Sequence, residues 1–291
     1  MIHYFMVHTQ NINRLLAQIQ IESAYYNMKL NLDKCVNLTM NQRQSSIKFK
    51  DQSFMPRSAK AVYLGTILSD TNDNHIEMNN RIAECSATAN RLKLFWQKSE
   101  ASTKWKIQVY DAIIRSKLLY GVECIQLSKP EQNRLDAFQV KGLRRLMNIP
   151  PTHIDRTVTN DDVYIKASEH AVKPIYKFSE IWLNTKFKLL GHLLRAAPGD
   201  PMREVTFEKD TIHPRLVKQR RPGRPRDHWL LSTMTEAWDE IVDNENIHFD
   251  ISSETDLATL KEHATQRLGI FETKPFLEPY KIFGIPNEDL Y

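Results

Sequence analysis

Cysteine is scarce in this chain. Cys35, Cys85 and Cys124 are an odd number at wide spacing with no Cys-x-x-Cys pair. That excludes a disulfide framework and a cysteine zinc site, and suits the reducing cytosol or nucleus. No apolar run approaches the roughly 20 residues of a membrane helix, and the N-terminus shows no basic segment leading into an apolar one. An intracellular protein, nuclear or cytoplasmic, with no membrane partner is therefore expected. Acidic residues are missing ahead of Glu22, so the opening stretch offers no carboxylate to a divalent cation. Internal repeats are also absent, which argues against solenoid and propeller architectures.

What is present is an ordinary globular composition, 41% hydrophobic and 26% charged over 291 residues, enough for one or two buried cores. The net charge of +5 hides an asymmetry. Through Arg226 there are 36 Lys and Arg against 21 Asp and Glu, a body of +15, and beyond it 4 against 14, a tail of −10. Such a body fits a polyanionic partner, because lysine and arginine bind phosphate backbones by releasing condensed counterions. It fits a solvated basic face equally well.

Hydrophobic spacing reads as α+β, mainly α. A helix is expected over 11–26, with Ile12, Leu15, Leu16, Ile19 and Ala24 inward. A strand flanking a short turn is expected around Leu30–Leu38, and further strand candidates lie at Ser46–Phe49 and at Ala59–Leu68, where Gly65 marks a bend. From Asp73 the period turns helical, over 76–95, 102–120, 128–149, from Asn160, and over 174–195, 228–241 and 257–268.

The two helices between Ser102 and Pro151 carry a cationic surface, with 12 Lys and Arg against 5 Asp and Glu from Ser86 to Pro150. The first is expected to bury Trp105, Val109, Ile113 and Leu118. The second, opened by a Ser128–Glu131 capping box, is expected to bury Leu135, Phe138, Leu143 and Leu146. Lys104, Lys106, Arg115 and Lys117 on the first, with Arg134, Lys141, Arg144 and Arg145 on the second, form a candidate nucleic-acid surface. The loop over 215–226 adds Arg220, Arg221, Arg224 and Arg226. Its Gly-Arg-Pro core is like that of minor-groove hooks, but a single short match predicts little, and groove binding and nuclear localisation by the same run are the lesser readings of this loop. Asp161-Asp162 follow Thr159-Asn160, where carboxylates suit a helix's first turn, so capping is preferred to metal binding. His192 has no partner at ligand spacing and reads as structural. Trp105, Trp182 and Trp229 are able to stack on bases, yet their helical spacing favours core packing.

Five stretches, in order, resemble the downstream half of a reverse transcriptase of the non-LTR retrotransposon type. Leu30-Asn31-Leu32-Asp33-Lys34-Cys35 is similar to the palm's N-x-x-K-T motif, with Cys35 where threonine is usual. Tyr63-Leu64-Gly65 resembles the F/Y-L-G primer-grip hairpin, and Ser116-Lys117-Leu118-Leu119-Tyr120-Gly121-Val122-Glu123 the thumb signature S-x-L-x-Y-G-x-E. Leu190-Gly191-His192-Leu193-Leu194-Arg195 resembles L-G-H-x-x-R, and Gly223-Arg224-Pro225-Arg226 with Trp229 resembles G-R-P-x-x-x-W.

The resemblance implies a partial palm with a primer-grip-like hairpin over 1–70, a helical thumb over 71–151, a helical extension bearing the basic loop over 152–241, and a partly ordered acidic tail over 242–291. It implies RNA or DNA as partner, with Tyr63, Leu64 and Gly65 placing a primer strand unless they form a plain core hairpin. Lys34 would be a remnant phosphate-contacting lysine. The family's RNA-directed DNA polymerases hold two Mg2+ ions on a Y/F-x-D-D turn. The matching place, Ile2–His8, has no acid, so an inactive, truncated form that takes no cofactor is expected. Two alternatives remain: a nonenzymatic DNA-binding or scaffold protein on the same helices, and a retrotransposon remnant without function.

Overall fold

The computed structural model describes residues 9–39, 47–63, 65–71, 74–215, 228–242 and 247–271. The chain divides into two compact units, Met1–Ser86 and Ala87–Tyr291. The boundary falls inside a helix. The described residues are mainly helical with one two-stranded antiparallel sheet, so the architecture is α+β, mainly α.

In the first unit, α1 (Thr9–Tyr25) forms where its spacing predicts, but of the residues expected inward Ile12, Leu15, Leu16 and Ile19 are half-buried and Ala24 is exposed. It is tied down by polar contacts: Lys48 N donates to Asn13 Oδ1 at 3.0 Å and Lys50 N to Gln20 Oε1 at 3.0 Å. The short turn expected within 30–38 forms as a 3-10 turn at Leu32–Lys34, capped by Asn31, which accepts from Lys34 N at 3.2 Å; the strand expected beside it does not form, since such side-chain caps compete with a strand ladder. Isolated bridges join Asn37 to Arg57 and Lys48 to Phe54; the latter stands in for the strand expected from Ser46, itself outside the described residues. The sheet is a hairpin of β1 (Lys60–Tyr63) and β2 (Thr66–Ser69), with Tyr63 opposite Thr66. Gly65 has φ 81° in the connecting turn, a conformation glycine adopts without a steric penalty. Helix α2 (Asn74–Arg91) locks onto this hairpin. Ile67 N donates to Glu77 Oε2 at 2.8 Å, Glu77 pairs with Arg81, and Arg81 Nη2 donates to Thr66 Oγ1 at 3.0 Å.

The second unit is helical: α3 (Lys93–Lys98), α4 (Thr103–Tyr110), a π-helical turn (Asp111–Arg115), α5 (Ser116–Leu119), a 3-10 turn (Val122–Cys124), α6 (Lys129–Leu146), α7 (Asn160–His170), α8 (Phe178–Arg195), α9 (Pro201–Thr206), α10 (Trp229–Ile241), α11 (Glu254–Gln266) and a 3-10 turn at Gly269–Phe271. Helix α9 has no counterpart in the apolar periodicity; Asp200 caps it, with Pro201 at its first position. Helix α8 packs against α6, α9, α10 and α11. Its Phe187, Leu190, Leu193 and Leu194 join Met234 and Ala237 of α10 and Leu257, Leu260 and Ala264 of α11 in one core. The stretch from Glu254 to Phe271 is thus part of that core. Gly191 of α8 has a packing reason, because a Cβ there would stand 2.9 Å from the Phe271 ring. Arg195 Nη1 closes the α11 C-terminus by donating to Ala264 O at 2.7 Å. Fully buried Lys186 pairs with Glu236 at 2.6 Å and lies 5.0 Å from the Trp182 ring centroid.

Candidate nucleic-acid interface

The helical stretch over 103–119 buries a strip about 100° around the helix from the one its apolar spacing suggests, although Leu118 is buried as expected. Lys106, Tyr110, Ile114, Leu118 and Val122 recur every fourth residue, and all are buried. Trp105 and Ile113, expected inside, are 40% and 38% exposed, and Val109 is half-buried. A strip at a spacing of four would drift by about 40° per turn on a regular α-helix. The π-helical turn at Asp111–Arg115 holds more residues per turn and takes up part of that drift. Two parallel strips result, one apolar and buried, the other outward with Trp105, Val109, Ile113 and Lys117. Tyr120, 62% exposed, follows at its end.

The neighbour decides which strip is buried. Tyr110 lies against α6 at Gly142, where a Cβ would come within 2.7 Å of the ring's Cε2. On its other side Trp96 meets it edge-on, ring centroids 6.2 Å apart. After α5 the chain turns at Gly121, φ 67°. Trp182 Nε1 donates to Val122 O at 3.1 Å and Trp229 Nε1 to Glu123 O at 2.8 Å. These two tryptophans clamp the turn that carries Tyr120. Their structural role agrees with their spacing, whereas Trp105 departs from it.

The candidate cations separate by burial. Lys104, Lys117, Arg134 and Lys141 are exposed. Arg134, Lys141 and half-buried Arg145 share one side of α6 through their spacing of seven and four; Arg145 Nη1 donates to Asn90 Oδ1 at 3.2 Å. Lys106 and Arg144 do not belong to an open surface. Lys106 buries its stem and donates from Nζ to Ser99 O at 3.1 Å. Arg144 donates to Pro150 O and Val158 O, each at 2.8 Å, and to Asn160 Oδ1 at 3.2 Å, satisfying carbonyls of the loop between α6 and α7. Arg115 is half-buried and paired with Asp111 at 2.6 Å. Arg220, Arg221, Arg224 and Arg226 lie outside the described residues, as does Leu64.

In the first unit, Lys34 is exposed at the end of the 3-10 turn, Tyr63 is half-buried at the end of β1, and Gly65 is exposed. Asp162 completes the cap of α7: Thr159 N and Oγ1 donate to Asp162 Oδ2 at 2.8 and 2.7 Å, which holds that carboxyl below its ordinary range. Asp161 pairs with Lys177 at 3.4 Å. Among the described residues no three His, Cys, Asp or Glu side chains gather as a metal site would require, and no helix is long and apolar enough to cross a membrane. His192 is exposed on α8 rather than packed. Phe138 is half-buried, while Leu135, Leu143 and Leu146 are buried as their spacing predicts.

Sequence reasoning missed the outward strip of Trp105, Ile113 and Tyr120. The one signal for it was the pair of lysines, Lys104 and Lys117, at the two ends of an apolar stripe. No known protein family, curated protein or solved structure matches this chain.

Proposed function

We propose that this chain is the thumb-side part of a non-LTR reverse-transcriptase-like protein, and that it binds RNA or DNA through α4, α5 and α6. The observation that carries the reading is that Lys104, Lys117, Arg134 and Lys141 are all exposed, on helical segments where α4 and α6 are in contact. Cations so placed hold a phosphate backbone without reading sequence. The ordered motifs from Leu30 to Trp229 support the family assignment, and the clamped Tyr120-Gly121-Val122-Glu123 turn gives the thumb-like motif a structural use. What is proposed for this chain is binding rather than synthesis.

The test is fluorescence anisotropy with a labelled primer–template at two salt concentrations. The quadruple variant K104A/K117A/R134A/K141A is expected to bind at least tenfold more weakly. Its log–log salt slope should be shallower by about one for each phosphate that is no longer neutralised. R224A/R226A is the control for the basic loop. Unchanged affinity in the quadruple variant with a large loss in the loop variant would overturn the thumb reading.

A further inference from the structure

We infer that the outward strip over 105–120 is a stacking surface for the bases of a single-stranded nucleic acid, a refinement that rests on the nucleic-acid reading above. Trp105, Ile113 and Tyr120 are 40%, 38% and 62% exposed along one helical stretch and the turn that ends it. Lys104 and Lys117 lie beside them and are exposed as well. The one acidic side chain between 104 and 120, Asp111, is engaged by Arg115 at 2.6 Å, so the strip presents rings and positive charge together.

That combination selects the strand form. In a duplex the base faces are covered by their neighbours, and a ring on the protein meets sugar and phosphate. In a single strand each base offers a π-face to an aromatic side chain while its phosphate reaches a lysine. The strip fits such a strand in length. Fifteen residues at about 1.5 Å rise span roughly 20 Å, room for on the order of four to six nucleotides, within the range of known single-strand sites. Rigidity favours the same use, because the two-tryptophan clamp fixes the turn bearing Tyr120 and the π-helical turn keeps Ile113 near the line of Trp105. An acidic amphipathic helix is the rival occupant.

The experiment compares a labelled oligo-dT of about 20 nucleotides with a duplex of equal length, using the full chain and its W105A, Y120A, W105F and K104A/K117A variants. W105A and Y120A are expected to weaken single-strand binding roughly five- to hundredfold while leaving duplex binding within about twofold. W105F should retain most of the affinity, because it keeps a ring. K104A/K117A should weaken both strand forms. Tyr120 is 62% exposed, so Y120A should keep the parent Tm, whereas Trp105 is 40% exposed and W105A should lower it; a far-ultraviolet melt fixes a temperature at which every variant is folded. If the lysine variant loses affinity while W105A and Y120A do not, or lose it equally for both strand forms, the stacking inference is overturned and the nucleic-acid reading stands. If the parent chain binds neither probe, the nucleic-acid reading falls and the inference with it. Binding of an acidic helical peptide that is lost in W105A, with oligonucleotide affinity unchanged, assigns the strip to the rival.

Discussion

Lys141 and Arg144 lie three residues apart on α6 with different fates: one is exposed, the other 6% exposed with its guanidinium on two carbonyls and a side-chain amide. Arginine suits that place because its planar fork reaches several acceptors at fixed angles. Arg144→Ala leaves those acceptors unmet, and a loss of about 2–3 kcal/mol is expected, seen as a lower Tm in thermal unfolding. Arg144→Lys should rescue little, since one ammonium cannot span all three. The sequence marked Arg144 as cationic, but Pro150 and Val158 come within its reach only after the chain turns back into α7. Asp162 is the opposite case, legible from Thr159 and the helical period after it. Its carboxyl is held below the ordinary value of 3.8 by the hydrogen bonds from Thr159. A folded-state value below the unfolded one means the cap's contribution is complete above 3.8 and fades as pH falls through the folded value. Asp162→Asn should therefore lower Tm at neutral pH and flatten its decline on acidification, measured by melts at several pH values.

At the scale of elements, boundaries were largely legible and faces were not always so. Ser128 and Thr159 start α6 and α7 where their chemistry predicts, and of Ser102 and Thr103 it is Ser102 that caps α4. The buried face of α4 and α5 was not legible, because residues every fourth position from 105 and from 106 make two stripes of nearly equal apolarity. Gly142 decides between them by admitting the Tyr110 ring against α6. Alanine is the better helix former by about 1 kcal/mol, yet Gly142→Ala should destabilise by about 1–3 kcal/mol, since the added methyl overlaps a buried ring. A lower urea midpoint with an unchanged slope would record this. A gain in stability would mean that the Tyr110 ring does not pack against Gly142.

At the scale of the whole chain, charge and packing divide it at different places. The composition turns acidic after Arg226, but the core around α8 takes in α10 and α11 and continues to Phe271. Leu260, fully buried on α11, makes the difference measurable. Leu260→Ala should cost about 2–4 kcal/mol and shift the unfolding of the α8 core as a unit, followed by tryptophan fluorescence. A tail packed on nothing would leave that transition in place. The sequence by itself determined the helical period from residue 76 onward, the caps that begin the helices, the basic body and the α+β class. These depend on neighbours a few residues apart or on composition. Tertiary structure alone decided that Lys106 and Arg144 turn inward, that α11 joins the core, and that Trp105 and Tyr120 face solvent beside Lys104 and Lys117. Which of two similar stripes is buried depends on the surface it meets, and here that surface is α6, with a glycine where a ring must fit.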